Sequence, residues 1–357
     1  MRSPRLVGLI SYPLRKGTAT TGNMEDSGVL TVAGTSSFTT SQNNADITLN
    51  NTNALTGTVA LNTSGSGNAL IDNGITALNL ATSTVGGNLT LTSGHYIIDS
   101  STVTVGGNLV ATTDAANGSI HMDGLRVDGT VQLTTHGSGD ATVVNDAGLT
   151  FLASTVRNLA ATATTGNIVD SGVLTVAGTS SFTTSATDAT ITLNNANAFG
   201  TVALNTTGSS GNATVVDASG LNLGASTVGG NLIATATTGN MTDDGALAIT
   251  GTTTLTTSAN DATIALDTTT NAFTGALTIT TNDASGTDAD VTIDGGTTAL
   301  ILAASTVDGD LTVTSGNSIT DSGTLTVGGN LAATTDANNG LINMGALAVN
   351  GTVALTT

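Results

Sequence analysis

The chain has 357 residues, a formal net charge of −19 at pH 7, no Cys and no Trp. Without cysteine it can form neither disulfides nor thiolate metal sites, and its negative charge opposes binding to nucleic acid and to anionic membranes. Val, Leu, Ile and Ala supply most of the apolar residues, among 45 Gly and many Thr, Ser, Asn and Asp. This composition is typical of short strands and turns, and we expect no nucleic-acid partner and no membrane insertion.

The first sixteen residues, MRSPRLVGLISYPLRK, differ from the rest of the chain. They contain both prolines and four of the six basic residues. Their apolar run is short, is interrupted by Pro13 and lacks an A-x-A cleavage site, so it does not fit a secretory signal peptide. Residues 1–16 are predicted to be a disordered basic lead-in, or the product of a start codon inside a longer gene.

From residue 17 to residue 357 the sequence repeats itself, and we predict one continuous repeat domain there. The segment DSGVLTVAGTSSFTT at residues 26–40 returns unchanged at residues 170–184. Counting looser versions, copies begin near residues 26, 99, 170, 243 and 321, at intervals of 73, 71, 73 and 78 residues. Because a repeat makes each residue type recur for architectural reasons, it must be interpreted before any local motif.

A finer period lies inside each copy. The pattern L-x-V-x-G recurs mostly every 20 to 24 residues, with one wider gap of about 30, so a copy of about 73 residues holds three coils. Alternating apolar pairs, such as Leu30 with Val32 and Val59 with Leu61, predict strands with one buried face. Clusters such as DSG and GGN predict sharp corners, and no stretch has the spacing of an amphipathic helix. The predicted fold is therefore all-β: a single-stranded parallel β-helix, or solenoid, of about fifteen coils.

Polar residues at the corners are also aligned. Asn88, Asn108, Asn231 and Asn330 each follow Gly-Gly and precede Leu. Regular alignment along a stack predicts side-chain ladders that stabilise the corner. We therefore assign these asparagines a structural role and not a ligand-binding one.

The phrase VGGNL, followed by alternating Thr and apolar residues, supplies a family resemblance. It occurs at residues 85–89, 105–109, 228–232 and 327–331, and it resembles the haemagglutinin-type repeats of filamentous haemagglutinin-like exoproteins and related autotransporter passengers of Gram-negative bacteria. The resemblance implies a right-handed parallel β-helix, secretion across the outer membrane and a role in adhesion or biofilm. The sequence has neither the secretion domain nor the translocator barrel of that family, so we expect a fragment of a larger surface protein.

Few residues could support catalysis. Polysaccharide lyases need a basic side chain or a metal-held cation at the abstracted proton, and beyond residue 16 the basic residues are Arg126 and Arg157 alone. The neighbours Asp243 and Asp244 include the corner Asp of their copy, so we interpret them as structural and not as a glycosidase pair. We assign no catalytic and no cofactor-binding residue, and predict that the chain is not an enzyme and needs no cofactor.

The run DADVTID contains the best candidate for a metal site. Asp288 and Asp290 point to one face of a strand and Asp294 follows, a pattern that would suit a divalent cation. The glycine-rich nonapeptides of calcium-binding β-rolls are absent, so the sequence leaves calcium binding open. The three histidines are unaligned and lack H-x-x-x-H spacing. We assign no metal ligand.

These observations predict a non-enzymatic structural stalk or adhesin segment of a large bacterial protein that is secreted or displayed on the cell surface. Expected partners are host or environmental surfaces, glycans or sister molecules, and unpaired end strands favour end-to-end self-association. One alternative is a polysaccharide lyase or hydrolase on a β-helix. Another is an ice-binding β-helix with a threonine-rich face, although T-x-T pairs such as Thr90 with Thr92 and Thr278 with Thr280 fall in different coils.

Overall fold

A computed structural model describes residues 5–6, 14–282, 288–336 and 339–357 of the chain. Throughout these residues the regular secondary structure is β-strand, without a helix. The chain divides into two compact units, Met1–Ala177 (unit 1) and Gly178–Thr357 (unit 2), and the division falls within the strand Leu174–Thr187. Each unit, taken by itself, is a parallel β-solenoid.

The strands are short and closely spaced in both units. Unit 1 contains Arg5–Leu6, Leu14–Ala19, Met24–Asp26, Thr31–Val32, Thr35–Asn43, Ile47–Leu49, Ala54–Leu55, Thr58–Ser64, Ala69–Asp72, Leu78–Leu80, Ser83–Val85, Leu89–Ser93, Ile97–Asp99, Val103–Val105, Leu109–Ala116, Ile120–Val127, Thr130–His136, Ala141–Asn145, Leu149–Phe151, Ser154–Val156, Leu159–Ala163 and Ile168–Asp170. After Leu174–Thr187, unit 2 contains Ile191–Thr207, Ala213–Asp217, Leu221–Leu223, Ser226–Val228, Leu232–Ala236, Met241–Asp243, Leu247–Ile249, Thr253–Thr257, Ile264–Leu266, Ala272–Phe273, Leu277–Thr280, Val291–Asp294, Leu300–Leu302, Ser305–Val307, Leu311–Ser315, Ile319–Asp321, Leu325–Val327, Leu331–Thr335, Ile342–Asn343, Leu347–Val349 and Val353–Thr356.

Most strands pair in parallel with strands one turn before and one turn after them. Leu89, for example, lies in register with Ala69 below and with Leu109 above. The described residues make about 16 turns of roughly 21 residues, or three turns per 70 residues. The predicted fold class is therefore confirmed, because strands of this length can bury one face only by stacking on further turns.

The apolar alternation in the sequence becomes a continuous core. Leu30, Val32, Val59 and Leu61 are each at most 5% exposed, as are the apolar residues that align with them in later turns before residue 340. Leu347 and Val349 continue the first column and are half-buried. The exceptions to the predicted columns are Val353 and Leu355 in the last turn, which are 47% and 52% exposed. Burial on stacking stabilises each large apolar side chain by about 1.5–3 kcal/mol.

Hydroxyl groups close the ends of many strands from inside the coil. The buried Thr40 donates to the Ala45 carbonyl at 2.9 Å, and the buried Thr113 donates to the Gly118 carbonyl at 2.9 Å. A polar group in the core costs free energy unless it is hydrogen-bonded. These inward threonines therefore fix the turn that follows each strand, a role that the sequence did not reveal.

The predicted lead-in falls mostly outside the described residues. Within it, residues 14–16 belong to the strand Leu14–Ala19, which pairs with Thr35–Asn43. Over the part of the chain that the structure describes, no helix is long and apolar enough to span a bilayer.

Candidate functional site

The asparagines that follow Gly-Gly form a hydrogen-bonded ladder. In unit 1 the Asn68 Oδ1 atom accepts the backbone N–H of Asn88 at 2.8 Å, Asn88 accepts that of Asn108 at 2.8 Å, and Asn108 accepts that of Thr130 at 2.9 Å. Unit 2 repeats the bond from Asn231 to Thr252 at 2.8 Å and from Asn330 to Thr352 at 2.9 Å. Each side chain thus satisfies a backbone donor at a corner, which supports the structural role predicted for these residues.

The ladder explains the second glycine of VGGNL. A Cβ atom on Gly87 would lie 2.4 Å from the Ser66 carbonyl oxygen and 2.5 Å from the Asn68 Oδ1 atom of the turn below. A Cβ atom on Gly351 would lie 2.6 Å from both the Gly329 carbonyl oxygen and the Asn330 Oδ1 atom. These distances are far inside van der Waals contact, so the backbone and the amide of one turn together occupy the space that any larger residue would need in the next turn.

The aspartates of the repeated corner bond to the backbone of the following turn. The Asp99 carboxylate accepts the N–H groups of Asp123 at 3.0 Å and Gly124 at 2.9 Å. Burial raises the pKa of Asp99 above its ordinary value, against these two hydrogen bonds, which lower it. Burial likewise raises the pKa of Asp243, which accepts the Asp267 N–H at 3.1 Å. These contacts favour the structural interpretation of Asp243 over a glycosidase role.

The DADVTID run does not gather its carboxylates around one point. Asp290 Oδ1 accepts the Asp310 N–H at 2.7 Å and so belongs to the ladder, whereas Asp294 Oδ1 accepts the Gly296 N–H at 2.7 Å within its own turn. Asp288 is exposed. Among the described residues, no three histidine or acidic side chains lie close enough together to hold a metal ion.

Outward threonines align across coils that differ in sequence. One column in unit 1 runs through Thr92, Thr112, Thr134, Thr155 and Thr175, and one in unit 2 runs through Thr235, Thr256, Thr280, Thr306 and Thr326. None of these ten side chains is buried. T-x-T pairs in the sequence do not reveal these columns, because the third coil contributes a single Thr from its S-T-V strand.

A charged groove lies on one outward face of unit 1. The strand Ile120–Val127 changes register between Met122 and Leu125, and this irregularity precedes Arg126. The Arg126 Nε atom lies 2.9 Å from Asp146 Oδ2 of the next turn, with the two side chains 60% and 48% exposed. A groove of about 230 Å³ is lined by Asp123, Gly124, Leu125, Arg126, Val144 and Asp146, with Thr102 and Thr164 at its edge. We call it the Arg126 groove.

Imidazole and aromatic side chains lie in the same turn as the Arg126 groove and in the turn before it. The His121 Nε2 atom lies 3.5 Å from Asp123 Oδ2, and Ile98, one turn below, is in register with His121. Tyr96 is 44% exposed, and its ring meets the His95 ring edge to face with centroids 4.0 Å apart. In the sequence Arg126 is an isolated basic residue. Only the register shows that His121 and Asp123 lie in its own turn and Tyr96 in the turn before it.

The surroundings of the Arg126 groove are specific to one repeat. Segment 71–135 aligns without a gap with segment 293–357, at a constant offset of 222 residues. The positions of Tyr96, His121, Asp123 and Arg126 are taken there by Ser318, Asn343, Gly345 and Ala348. Segment 293–357 still pairs at these positions without them, although the continuous strand Ile120–Val127 is there divided into Ile342–Asn343 and Leu347–Val349. Stacking therefore does not require the aromatic and charged side chains.

The stacked parallel turns and their ladders define a repeat protein of the β-solenoid class. A family model described as repeats of unknown function (DUF5649) matches residues 16–62, 66–134, 138–206, 210–280 and 288–356. The chain therefore belongs to this repeat family. No curated protein matches the chain. No solved structure matches it.

Proposed function

We propose that the chain is a non-enzymatic structural stalk or adhesin segment of a bacterial protein that is secreted or displayed on the cell surface. The main support is the use made of its recurring polar residues: the asparagines after Gly-Gly and the corner aspartates bond to the backbone of neighbouring turns. These hydrogen bonds between side chains and the backbone of neighbouring turns stabilise the stack. The resemblance of VGGNL to haemagglutinin-type repeats adds the expectation of adhesion at a surface.

The proposed mechanism is mechanical and multivalent. Within each unit every interior turn is hydrogen-bonded on both sides, so that one turn cannot leave without breaking two sets of pairings. Weak contacts repeated along such a surface add up through effective concentration. The net charge of −19 keeps the chain soluble and steers it away from anionic partners.

Adhesion can be tested with beads that carry the purified chain. We expect coated beads to resist detachment by flow from cell or mineral surfaces better than albumin-coated beads of equal size. The same protein should release no product from pectin-like or alginate-like polymers. Detachment at the albumin rate would refute the adhesin role, and turnover of either polymer would establish the lyase or hydrolase alternative instead.

The threonine columns favour ice binding as a second candidate function. Each column repeats a hydroxyl and a methyl group at about 4.8 Å over five turns. The neighbouring outward position is less regular, since Thr90 is followed by Val110 and Gln132 in the next turns. A regular two-column plane is therefore incomplete, which ranks this function second.

A thermal-hysteresis measurement tests the second candidate. If the unit 1 column binds ice, Thr134→Lys should abolish hysteresis, whereas Thr142→Lys, at an outward position off the column, should preserve it. An absence of hysteresis in the unaltered chain would remove ice binding from consideration.

A further inference from the structure

The Arg126 groove has features that the stack itself does not use. Arg126, Asp123, His121 and Tyr96 are outward-facing, and the corresponding residues of segment 293–357 are small and uncharged. Most polar side chains described above bond to a neighbouring turn's backbone. The Arg126 and Asp123 side chains are instead about 60% exposed.

We propose that the Arg126 groove and the Tyr96 ring of the preceding turn bind an uncharged oligosaccharide. The inference rests on the proposed adhesin role and names the ligand class and the residues that would provide it. Arg126 and Asp123 contact hydroxyl groups in the groove, and Tyr96 packs against the apolar face of a neighbouring sugar ring.

The groove presents both kinds of hydrogen-bonding partner that a sugar needs. A guanidinium group has five N–H donors, and the contact from Nε to Asp146 leaves others free to donate to sugar oxygens. The carboxylates of Asp123 and Asp146 accept hydrogen bonds from hydroxyl groups. Charge-assisted hydrogen bonds of this kind are about twice as strong as neutral ones.

The aromatic ring supplies the apolar part of the site. The edge-to-face contact with His95 restrains the Tyr96 ring, and 44% exposure leaves area for a ligand. Tyrosine combines an apolar ring with a polar hydroxyl, as a sugar ring combines C–H and O–H groups.

Register fixes the length of the site. Ile97 pairs with Ile120, so Tyr96 lies beside Ser119, four residues before Asp123 along the strand. At about 3.3 Å per residue the ring and the groove are roughly 13 Å apart along the strand, with one turn of about 4.8 Å between them. This span exceeds one sugar ring, so the ligand is an oligosaccharide.

Charge determines which saccharides fit. The groove contains two carboxylates and one guanidinium group, and the chain as a whole carries a charge of −19. Sialylated or sulfated glycans are repelled by this field. A basic peptide is disfavoured because the Arg126 guanidinium already occupies Asp146. An uncharged ligand with many hydroxyl groups meets neither obstacle.

A glycan array of neutral, sialylated and sulfated oligosaccharides, with a lysine-rich peptide printed beside them, tests the proposal. We expect the full chain to bind a set of neutral oligosaccharides. Replacement by the residues of segment 293–357, as Tyr96→Ser and Arg126→Ala, should each weaken binding about tenfold or more. Arg157→Gly is the matched control, because it removes an equal charge at an exposed position and turns VRNL into VGNL, which is closer to the VGGNL of other turns. It should bind within about twofold of the unaltered chain.

Circular dichroism and thermal unfolding check that the three variants remain folded. All three substitutions lie at outward positions and should leave the strand spectrum unchanged. Binding only to anionic glycans, binding only to the peptide, a blank array, or equal binding by Arg126→Ala and Arg157→Gly would each overturn the inference. If the chain binds no glycan on the array but coated beads resist detachment better than albumin-coated beads, only the assignment of the groove is refuted. If coated beads detach at the albumin rate, the proposed adhesin function is refuted whatever the array shows.

Discussion

Segment 71–135 and segment 293–357 follow one backbone plan in two different settings. Both contain the ladder, the corner aspartate and the three-coil order, and their strands occupy equivalent positions. Segment 71–135 has further turns on both sides, whereas the last turn of segment 293–357 is covered on one side. Leu133 is accordingly buried, and Leu355 at the equivalent position is 52% exposed.

The corner aspartates show what this difference does to electrostatics. Asp99 accepts the N–H groups of Asp123 and Gly124, and Asp321 accepts those of Gly345 and Ala346 at 3.0 and 2.6 Å. Burial raises the pKa of Asp99, while the two hydrogen bonds lower the pKa of Asp321. The same hydrogen-bonding motif thus gives opposite shifts, because burial outweighs the hydrogen bonds at Asp99 and the hydrogen bonds outweigh burial at Asp321.

The largest expected effect is the loss of stability when a core leucine is shortened, and it should differ between the two segments. Leu133→Ala should destabilise the chain by about 2–5 kcal/mol, because it opens a cavity between covered turns. Leu355→Ala, at the equivalent position, should cost about 1 kcal/mol or less, since half of its surface is already in water. Urea denaturation of both variants measures the difference, and equal losses would contradict the one-sided covering of the last turn.

A smaller effect is expected at the glycines. Gly87→Ala should cost about 1–3 kcal/mol, because the new methyl group collides with the Ser66 carbonyl oxygen and the Asn68 amide oxygen. Gly345→Ala in segment 293–357 meets no atom within 4 Å and should change stability by less than about 0.5 kcal/mol. Thermal unfolding of the pair provides the comparison. A harmless Gly87→Ala would show that the ladder does not require the second glycine.

The pH dependence of stability should differ in sign between the corner aspartates. The raised pKa of Asp99 means that the native state holds the proton of this carboxyl group more tightly than the unfolded state does. The contribution of Asp99 to the stability of the folded chain therefore falls as pH rises above 3.8. The lowered pKa of Asp321 means that its contribution is present above 3.8 and is lost as pH falls below it.

Denaturation between pH 3 and pH 6 should therefore give opposite trends for the two neutral variants. Relative to the unaltered chain, Asp99→Asn should gain stability with rising pH and Asp321→Asn should lose it. Parallel trends would show that burial does not dominate at Asp99.

The smallest expected effect concerns the Arg126 groove. Arg126→Ala breaks an ion pair between largely exposed side chains, and such pairs contribute about 0–1 kcal/mol. Thermal unfolding should therefore shift little while glycan binding falls. A loss of stability similar to that of Leu133→Ala would instead make Arg126 a structural residue.

Much of the fold was predictable because every turn of the stack must bury an apolar face and form a corner at the same positions. Alternation at Leu30 and Val32 identified buried positions directly, and the Gly-Gly-Asn corners marked the ladder. The inward Thr113 escaped prediction because an outward Thr and an inward Thr look alike in sequence, and only the strand register distinguishes them. The Arg126 groove escaped for a related reason, since Arg126 and Asp146 are 20 residues apart and meet only through stacking.

The sequence by itself determined the all-β class, the coil length and the core columns, because period-two alternation and glycine corners are local signals that recur along the chain. Tertiary structure decided which outward residues become neighbours, since contacts across turns depend on register to a single residue. That is why the threonine columns, the opposite pKa shifts of Asp99 and Asp321, and the grouping of Tyr96, His121, Asp123 and Arg126 appeared only when the turns were stacked.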